Sequence, residues 1–171
     1  SVDGAETAKT STKVAVATNF SFNNINASGT LDTDKQIALT DYDMLTSLRG
    51  SNANKLNDGD PNTYIYTYLY YDPQFVIKFK SAKTLSGVGI LSSFTSYGYG
   101  VKKVTVETSL DGKSWTNMGT ATATTQYDDD TSFPIVFSTP VKCQYVRLSH
   151  IETFDTGDYP CFAISEIGAY E

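Results

Sequence analysis

Lys55-Leu56-Asn57-Asp58-Gly59-Asp60-Pro61-Asn62-Thr63 is the stretch whose reading decides the fold. Gly59 adopts backbone angles that other residues avoid, and Pro61 fixes its own φ, so together they predict a tight turn. Asp58, Asp60, Asn62 and Thr63 crowd oxygen atoms into it. A turn rich in carboxylate, hydroxyl and carbonyl oxygens suits Ca2+, a hard cation. On composition alone an ordinary polar turn, in which Asp and Asn bond their own backbone, is the simpler reading. An EF-hand does not fit. Asp58-x-Asp60-x-Asn62 matches its start, but the sixth position is Thr63 rather than Gly, and the twelfth is Leu69 rather than Glu.

Downstream of the turn the hydrophobic pattern has period two. Phe75, Ile77 and Phe79 fall on one face of a strand, and Leu85–Leu91 reads as another. Val104–Thr108 alternates and runs into Ser109-Leu110-Asp111-Gly112-Lys113-Ser114-Trp115. Asp-Gly between two such runs predicts a hairpin, because both residues tolerate positive φ. Phe133–Phe137, Tyr145–Leu148 and Phe162–Tyr170 complete the set. Short strands separated by turn signals, without a long helical period, predict a sandwich or barrel.

Upstream the pattern is weaker. Residues 1–12 are small and polar and read as a frayed end or linker. Val14–Ala17 with Phe20–Phe22 reads as a first strand, Asn23–Thr33 as a loop, and Gln36–Leu39 as a short strand. The organisation expected is an N-terminal extension over 1–44, partly flexible and contributing edge strands, followed by one domain over 45–171.

With 13 basic and 19 acidic residues the net charge is -6. That sign argues against a phosphate-binding surface for nucleic acid and against docking on anionic membranes. No apolar run is long enough to span a bilayer, and no signal peptide is visible at Ser1. Cys143 and Cys161 fit either a disulfide or two buried thiols. With one His in the chain, zinc is disfavoured. Nucleophilic catalysis needs a base beside a Ser or Cys, and His150 has no evident partner. A glycosidase needs a pair of facing carboxylates, and none stands out beyond Asp58 and Glu166.

The motifs, taken in order, resemble the discoidin-like domains, also called coagulation factor 5/8 type C domains, and the related family 32 carbohydrate-binding modules. The resemblance rests on Asp58-Gly59-Asp60-Pro61-Asn62-Thr63-Tyr64, the strand Phe75-Val76-Ile77-Lys78-Phe79 and the hairpin Ser109-x-Asp111-Gly112-x-x-Trp115. Tyr145-Val146-Arg147-Leu148 and the closing Ile164-Ser165-Glu166-Ile167 complete it. It covers Leu45 to Tyr170. It implies an all-β, antiparallel jelly-roll sandwich of the galactose-binding-domain-like type. It also implies a structural Ca2+ held by the Lys55 carbonyl, the Asp58 carboxylate, the Asp60 carbonyl, both oxygens of Thr63, the Ser165 carbonyl and the Glu166 carboxylate. Tyr64-Ile65-Tyr66 departs from the aromatic pair containing Trp that the family often has.

The function implied is a non-catalytic module that binds a glycan or polysaccharide outside the cytoplasm, usually as part of a larger protein. A protein-binding or adhesion domain on the same scaffold is the alternative. A sugar's C–H face stacks on aromatic rings, so the expected ligand residues are Tyr97 and Tyr99 between glycines, then Tyr68, Phe154 and Tyr159. Tyr66, Tyr68 and Tyr70 also fit an edge strand whose tyrosines pack inward. Asp128-Asp129-Asp130 reads as a solvated loop. The His, Arg and Asn triplet that makes the galactose pocket in many sugar-binding relatives cannot be placed on this sequence, which argues against a galactose specificity.

Overall fold

A computed structural model of the chain describes residues 23–171. The strand expected at 14–22 lies outside those residues. Seven strands are described, joined by antiparallel ladders throughout: β1 Tyr42–Thr46, β2 Ile65–Tyr68, β3 Phe75–Ser92, β4 Val101–Ser109, β5 Thr116–Thr122, β6 Ser132–Thr153 and β7 Cys161–Tyr170. The helical segments among the described residues are short 3-10 turns.

Two strands do the work of four. The runs expected at 75–79 and 85–91 are one 18-residue strand, β3, and those at 133–137 and 145–148 lie within the 22 residues of β6. Each passes from one layer to the other through irregular register, between Lys78 and Lys83 and between Leu85 and Gly87 of β3. Bulges and bends of this kind let a strand turn the corner of a sandwich. One layer is β1, the first half of β3, the second half of β6, β4 and β5. The other is the first half of β6, the second half of β3, β7 and β2.

The faces that meet carry the alternating residues. Phe75, Ile77 and Phe79 are fully buried, as are Val104, Val106, Leu85, Ile90, Ile164 and Ile167. The Asp-Gly hairpin forms as expected, with the Asp111 carboxylate accepting from the Lys113 and Ser114 amides at 2.8 Å. Arg147 is structural. It lies over the Trp115 ring and bonds Glu107 at 2.8 Å.

The expected boundary after residue 44 falls inside β1. Residues before it also pack on the sandwich. Ile25 bridges to Phe137, and the Ile37 amide donates to the Ala169 carbonyl at 2.8 Å. The buried Tyr42 hydroxyl donates to the Ile167 carbonyl at 2.8 Å. Leu31 lies against the outer face of β3 where the strand has a glycine. A Cβ at Gly87 would stand 2.8 Å from Leu31 Cδ2 and 2.2 Å from the Ile135 carbonyl. The strand expected at Gln36–Leu39 is a single bridge from Gln36 to Tyr170, followed by a 3-10 turn at Leu39–Asp41. Cys143 and Cys161 are buried free thiols.

Candidate functional site

β7 carries two loops that matter. The first is the turn at 55–63. It leaves the 3-10 segment Ala53–Asn57 and ends just before β2. The β2–β7 ladder stops at Ile65 and Ile164, so the turn arrives beside the next residues of β7, Ser165 and Glu166. Ser165 is the extra residue in a register shift against β3, where bulging leaves backbone out of the ladder.

Inside the turn the Asp60 amide donates to Asp58 Oδ1 at 2.9 Å. The Thr63 hydroxyl lies within bonding reach of Asp58 Oδ2 and of the Asp60 carbonyl, at 3.0 Å from the latter. Glu166 faces this cluster, and its Oε2 is buried with no hydrogen-bond partner. Burial, then the adjoining Asp58 carboxylate, push the Glu166 acid up to about 8. Burial alone would raise Asp58 too, but the Thr63 hydroxyl, Glu166 and the Asp60 amide hold it below the usual carboxylate range. Two acids are thus pressed together, one of them carrying an orphaned oxygen. Among the described residues no three His, Cys, Asp or Glu side chains gather. Any cation held here would take two carboxylates and complete its shell with hydroxyl and carbonyl oxygens, which suits calcium.

The second loop joins β3 to β4. Its ends are fastened to one residue of β7: the Ser93 amide donates to the Ala163 carbonyl at 3.0 Å, and the Ala163 amide to the Tyr99 carbonyl at 3.2 Å. Between them Phe94 and Gly98 adopt left-handed φ of 54° and 88° around the short 3-10 turn Thr95–Tyr97. A Cβ at Gly98 would meet the Phe154 backbone at 3.0 Å, so glycine serves both the angle and the close approach. Asp129 holds the strained end. Its carboxylate accepts from the Phe94 amide at 3.2 Å, the Thr95 amide at 2.8 Å and the Thr95 hydroxyl. Those donors, the Thr95 side chain first, keep its pKa below the usual range despite some burial.

The loop delivers Phe94, Tyr97 and Tyr99 against Tyr64 and Tyr66, which precede and begin β2. Together the five rings line a pocket of about 260 Å³ with no charged side chain. Tyr64 meets Phe94 edge-on at 5.0 Å, Phe94 stacks with Tyr97 at 6.3 Å, and Tyr99 lies 5.7 Å from Tyr97 and 5.5 Å from Tyr66. The Tyr66 phenol is pushed up to about 12, first by its interaction with the Tyr99 hydroxyl and then by Cys161. The pocket therefore presents neutral hydroxyls around apolar faces.

The sequence profile of the F5/8 type C domain matches residues 24–167. The chain belongs to that family. The F5/8 type C domain described here is similar in structure to one part of a two-domain protein of unknown function from Bacteroides fragilis (TM-score 0.71, 22% identity), covering 87% of this chain and 48% of that one. It is similar to a family 32 carbohydrate-binding module from a family 31 glycoside hydrolase of Clostridium perfringens (TM-score 0.68, 21% identity), covering 81% of this chain and 96% of that one. It also resembles the family 32 module of NanJ from the same organism, solved in complex with galactose (TM-score 0.64, 15% identity), covering 80% of this chain and 98% of that one. Among curated proteins none matches this chain. The shared fold is the β-sandwich jelly roll of these modules.

In this F5/8 type C domain the five ligand residues expected from sequence separate into groups. Tyr97 and Tyr99 share the ring pocket, Tyr97 being 68% exposed. Tyr68 and Tyr159 meet each other at 6.5 Å on an adjoining, exposed patch with Tyr70 and Tyr71. Phe154 joins neither. It packs edge-on against Tyr127 at 6.0 Å, beneath the Lys102 ammonium. Tyr64, Tyr66 and Phe94 are pocket residues outside the expected set. The inward packing considered for Tyr66 and Tyr68 does not occur. Ile65 faces the core at 4% exposure, which turns Tyr66 and Tyr68 outward at 51% and 47%. Asp129, read as part of a solvated run, is the anchor of the aromatic loop. Of the six expected metal residues, Asp58, Asp60, Thr63 and Glu166 come together, and Ser165 adjoins them on β7. Lys55 lies in the 3-10 turn that feeds the loop.

Proposed function

We propose that this domain is a non-catalytic carbohydrate-binding module that stacks a sugar ring in the pocket of Tyr64, Tyr66, Phe94, Tyr97 and Tyr99. The observation that carries the reading is that uncharged pocket. Five rings offer apolar faces to a sugar's C–H groups, and tyrosine hydroxyls could bond its hydroxyls. The likeness to family 32 modules supports it. Such a module acts outside the cytoplasm as part of a larger protein, raising the local concentration of its partner domain on a polysaccharide.

Calcium belongs to the same proposal. The Asp58 and Glu166 carboxylates, Thr63 and the carbonyls of Lys55, Asp60 and Ser165 would hold it. The orphaned Glu166 oxygen beside a second carboxylate supports the fit. The ion would neutralise that pair and tie the turn to β7. Its role is to hold the scaffold on which β2 presents Tyr64 and Tyr66.

A glycan array probed with the wild type and with Tyr99→Ala tests the binding role. Capture of glycans by the wild type that Tyr99→Ala loses is the expected result. Equal capture by both proteins would discard the pocket. No glycan binding, with a purified protein partner bound instead, would favour the adhesion alternative.

A further inference from the structure

β2 pairs with β7 along one side, and its other edge has no strand partner among the described residues. Across from that edge the loop after β1 and the 3-10 turn that follows form a second wall. Between the walls lie two adjoining cavities of about 560 and 350 Å³, both lined by Ser51 and Tyr66. Arg49 lines the first and Lys55 the second, and no carboxylate lines either. Both cations are exposed, and neither makes an ion pair among the described residues. In a chain of net charge -6 an all-cationic lining departs from the average surface. Tyr64 and Tyr66 line the second cavity and the ring pocket alike. A ligand stacked on the tyrosines therefore sits beside the groove that the two cations line.

We infer that this groove is a subsite for an acidic substituent, a carboxylate or a sulfate ester, on the glycan whose sugar ring occupies the tyrosine pocket. The inference rests on the carbohydrate reading of that pocket. Arg49 offers a planar fork of donors that matches a carboxylate or sulfate bidentately, and Lys55 adds a point charge. Ser51 and Asn52 supply neutral polar groups along the same wall. The open edge of β2 leaves backbone groups available, as edge strands do. The ring pocket, lacking any charge, sets no preference between acidic and neutral sugars. The groove does.

Calorimetric titration against two matched pairs of polymers tests this. One pair is polygalacturonate and its carboxyl-reduced counterpart. The other is carrageenan, a sulfated galactan, and its desulfated form. The wild type is expected to bind at least one acidic polymer about tenfold more tightly than its neutral partner, the scale of one charge-assisted contact. That ratio is expected to shrink as salt is raised, and to fall severalfold in Arg49→Gln at an unchanged melting temperature. Which pair shows the preference distinguishes carboxylate from sulfate. Equal binding within both pairs, no binding of either acidic polymer, or a preference unchanged in Arg49→Gln would overturn the inference. Binding of neutral polymers that Tyr99→Ala abolishes leaves the carbohydrate reading standing in each of those cases. If Tyr99→Ala leaves every polymer bound, the ring pocket itself is the wrong site.

Discussion

Two loops of this domain are seated on the same strand, β7, and each is organised by an aspartate, yet the two aspartates have different partners. Asp129 is matched by donors: two amides and a hydroxyl answer its carboxylate, and its pKa falls. The Asp58 pKa falls too, held down by Thr63, Glu166 and the Asp60 amide, but one of those partners is itself an acid, Glu166, whose own pKa rises to about 8. The first loop is electrostatically complete within the protein. The second stays balanced only while Glu166 keeps its proton, and it gains an unanswered charge when that proton is lost. On the proposed calcium reading, that difference separates a loop fixed by the chain alone from one whose order would depend on a cation.

The sharpest test is metal removal. A chelator is expected to lower the melting temperature and Ca2+ to restore it. Calcium at a thousand times its Kd adds about 4 kcal/mol. For a chain of 171 residues that corresponds to roughly 10 °C. A melting curve indifferent to chelator would dissolve the contrast between the loops.

Next is the pH dependence of the calcium-free protein. A Glu166 pKa raised above its unfolded value means that the folded state keeps a proton the unfolded chain gives up. That contribution is complete below about pH 4.5 and is lost as pH rises through about 8. Solvent screening of a half-buried acid limits it to about 1–2 kcal/mol. Glu166→Gln is expected to flatten this slope in chelator and to abolish the calcium response in denaturant titrations. A slope unchanged in the variant would assign it to another group.

On the aromatic side, Tyr97→Ala is expected to weaken glycan binding about tenfold without changing the calcium response. Calorimetry on both proteins checks this, and a shared loss of calcium response would mean that the loops are not independent. The smallest effect expected is that of Asp129→Ala, about 1 kcal/mol, the ordinary cost of a lost capping side chain. It should be the same with calcium and with chelator. Because the Asp129 pKa is depressed, its contribution is present at neutral pH and lost as pH falls through the acid range below the usual carboxylate value. Denaturant melts at neutral and acid pH would show it, and a calcium-dependent loss would contradict the assignment.

Much of the scaffold was legible because it is local. The Asp-Gly hairpin, the period-two runs and the Asp58–Thr63 turn each depend on residues close in sequence. The continuity of β3 and β6 across both layers was not, because gaps in hydrophobic pattern look the same whether a strand ends or turns a corner. Nor was the role of residues 24–44. Their partners, Phe137, Ile167 and Ala169, lie more than a hundred residues away. The candidate site divides the same way. Tyr97 and Tyr99 between glycines already suggested exposure. Tyr66 did not, because alternation says that two faces differ and not which is inside. Asp129 is one of three successive aspartates, and its partner Thr95 is 34 residues distant.

The sequence by itself determined the strand periods, the turn chemistry and the set of oxygen donors, because these are properties of neighbouring residues. Only the tertiary structure decided that Ile65 faces inward and its tyrosines outward, that Asp129 anchors Phe94, and that Glu166 meets Asp58 with one oxygen unanswered. The physical reason is common to all of them. Burial and charge pairing act through space, and in this fold β7 gathers around itself segments that the chain keeps far apart.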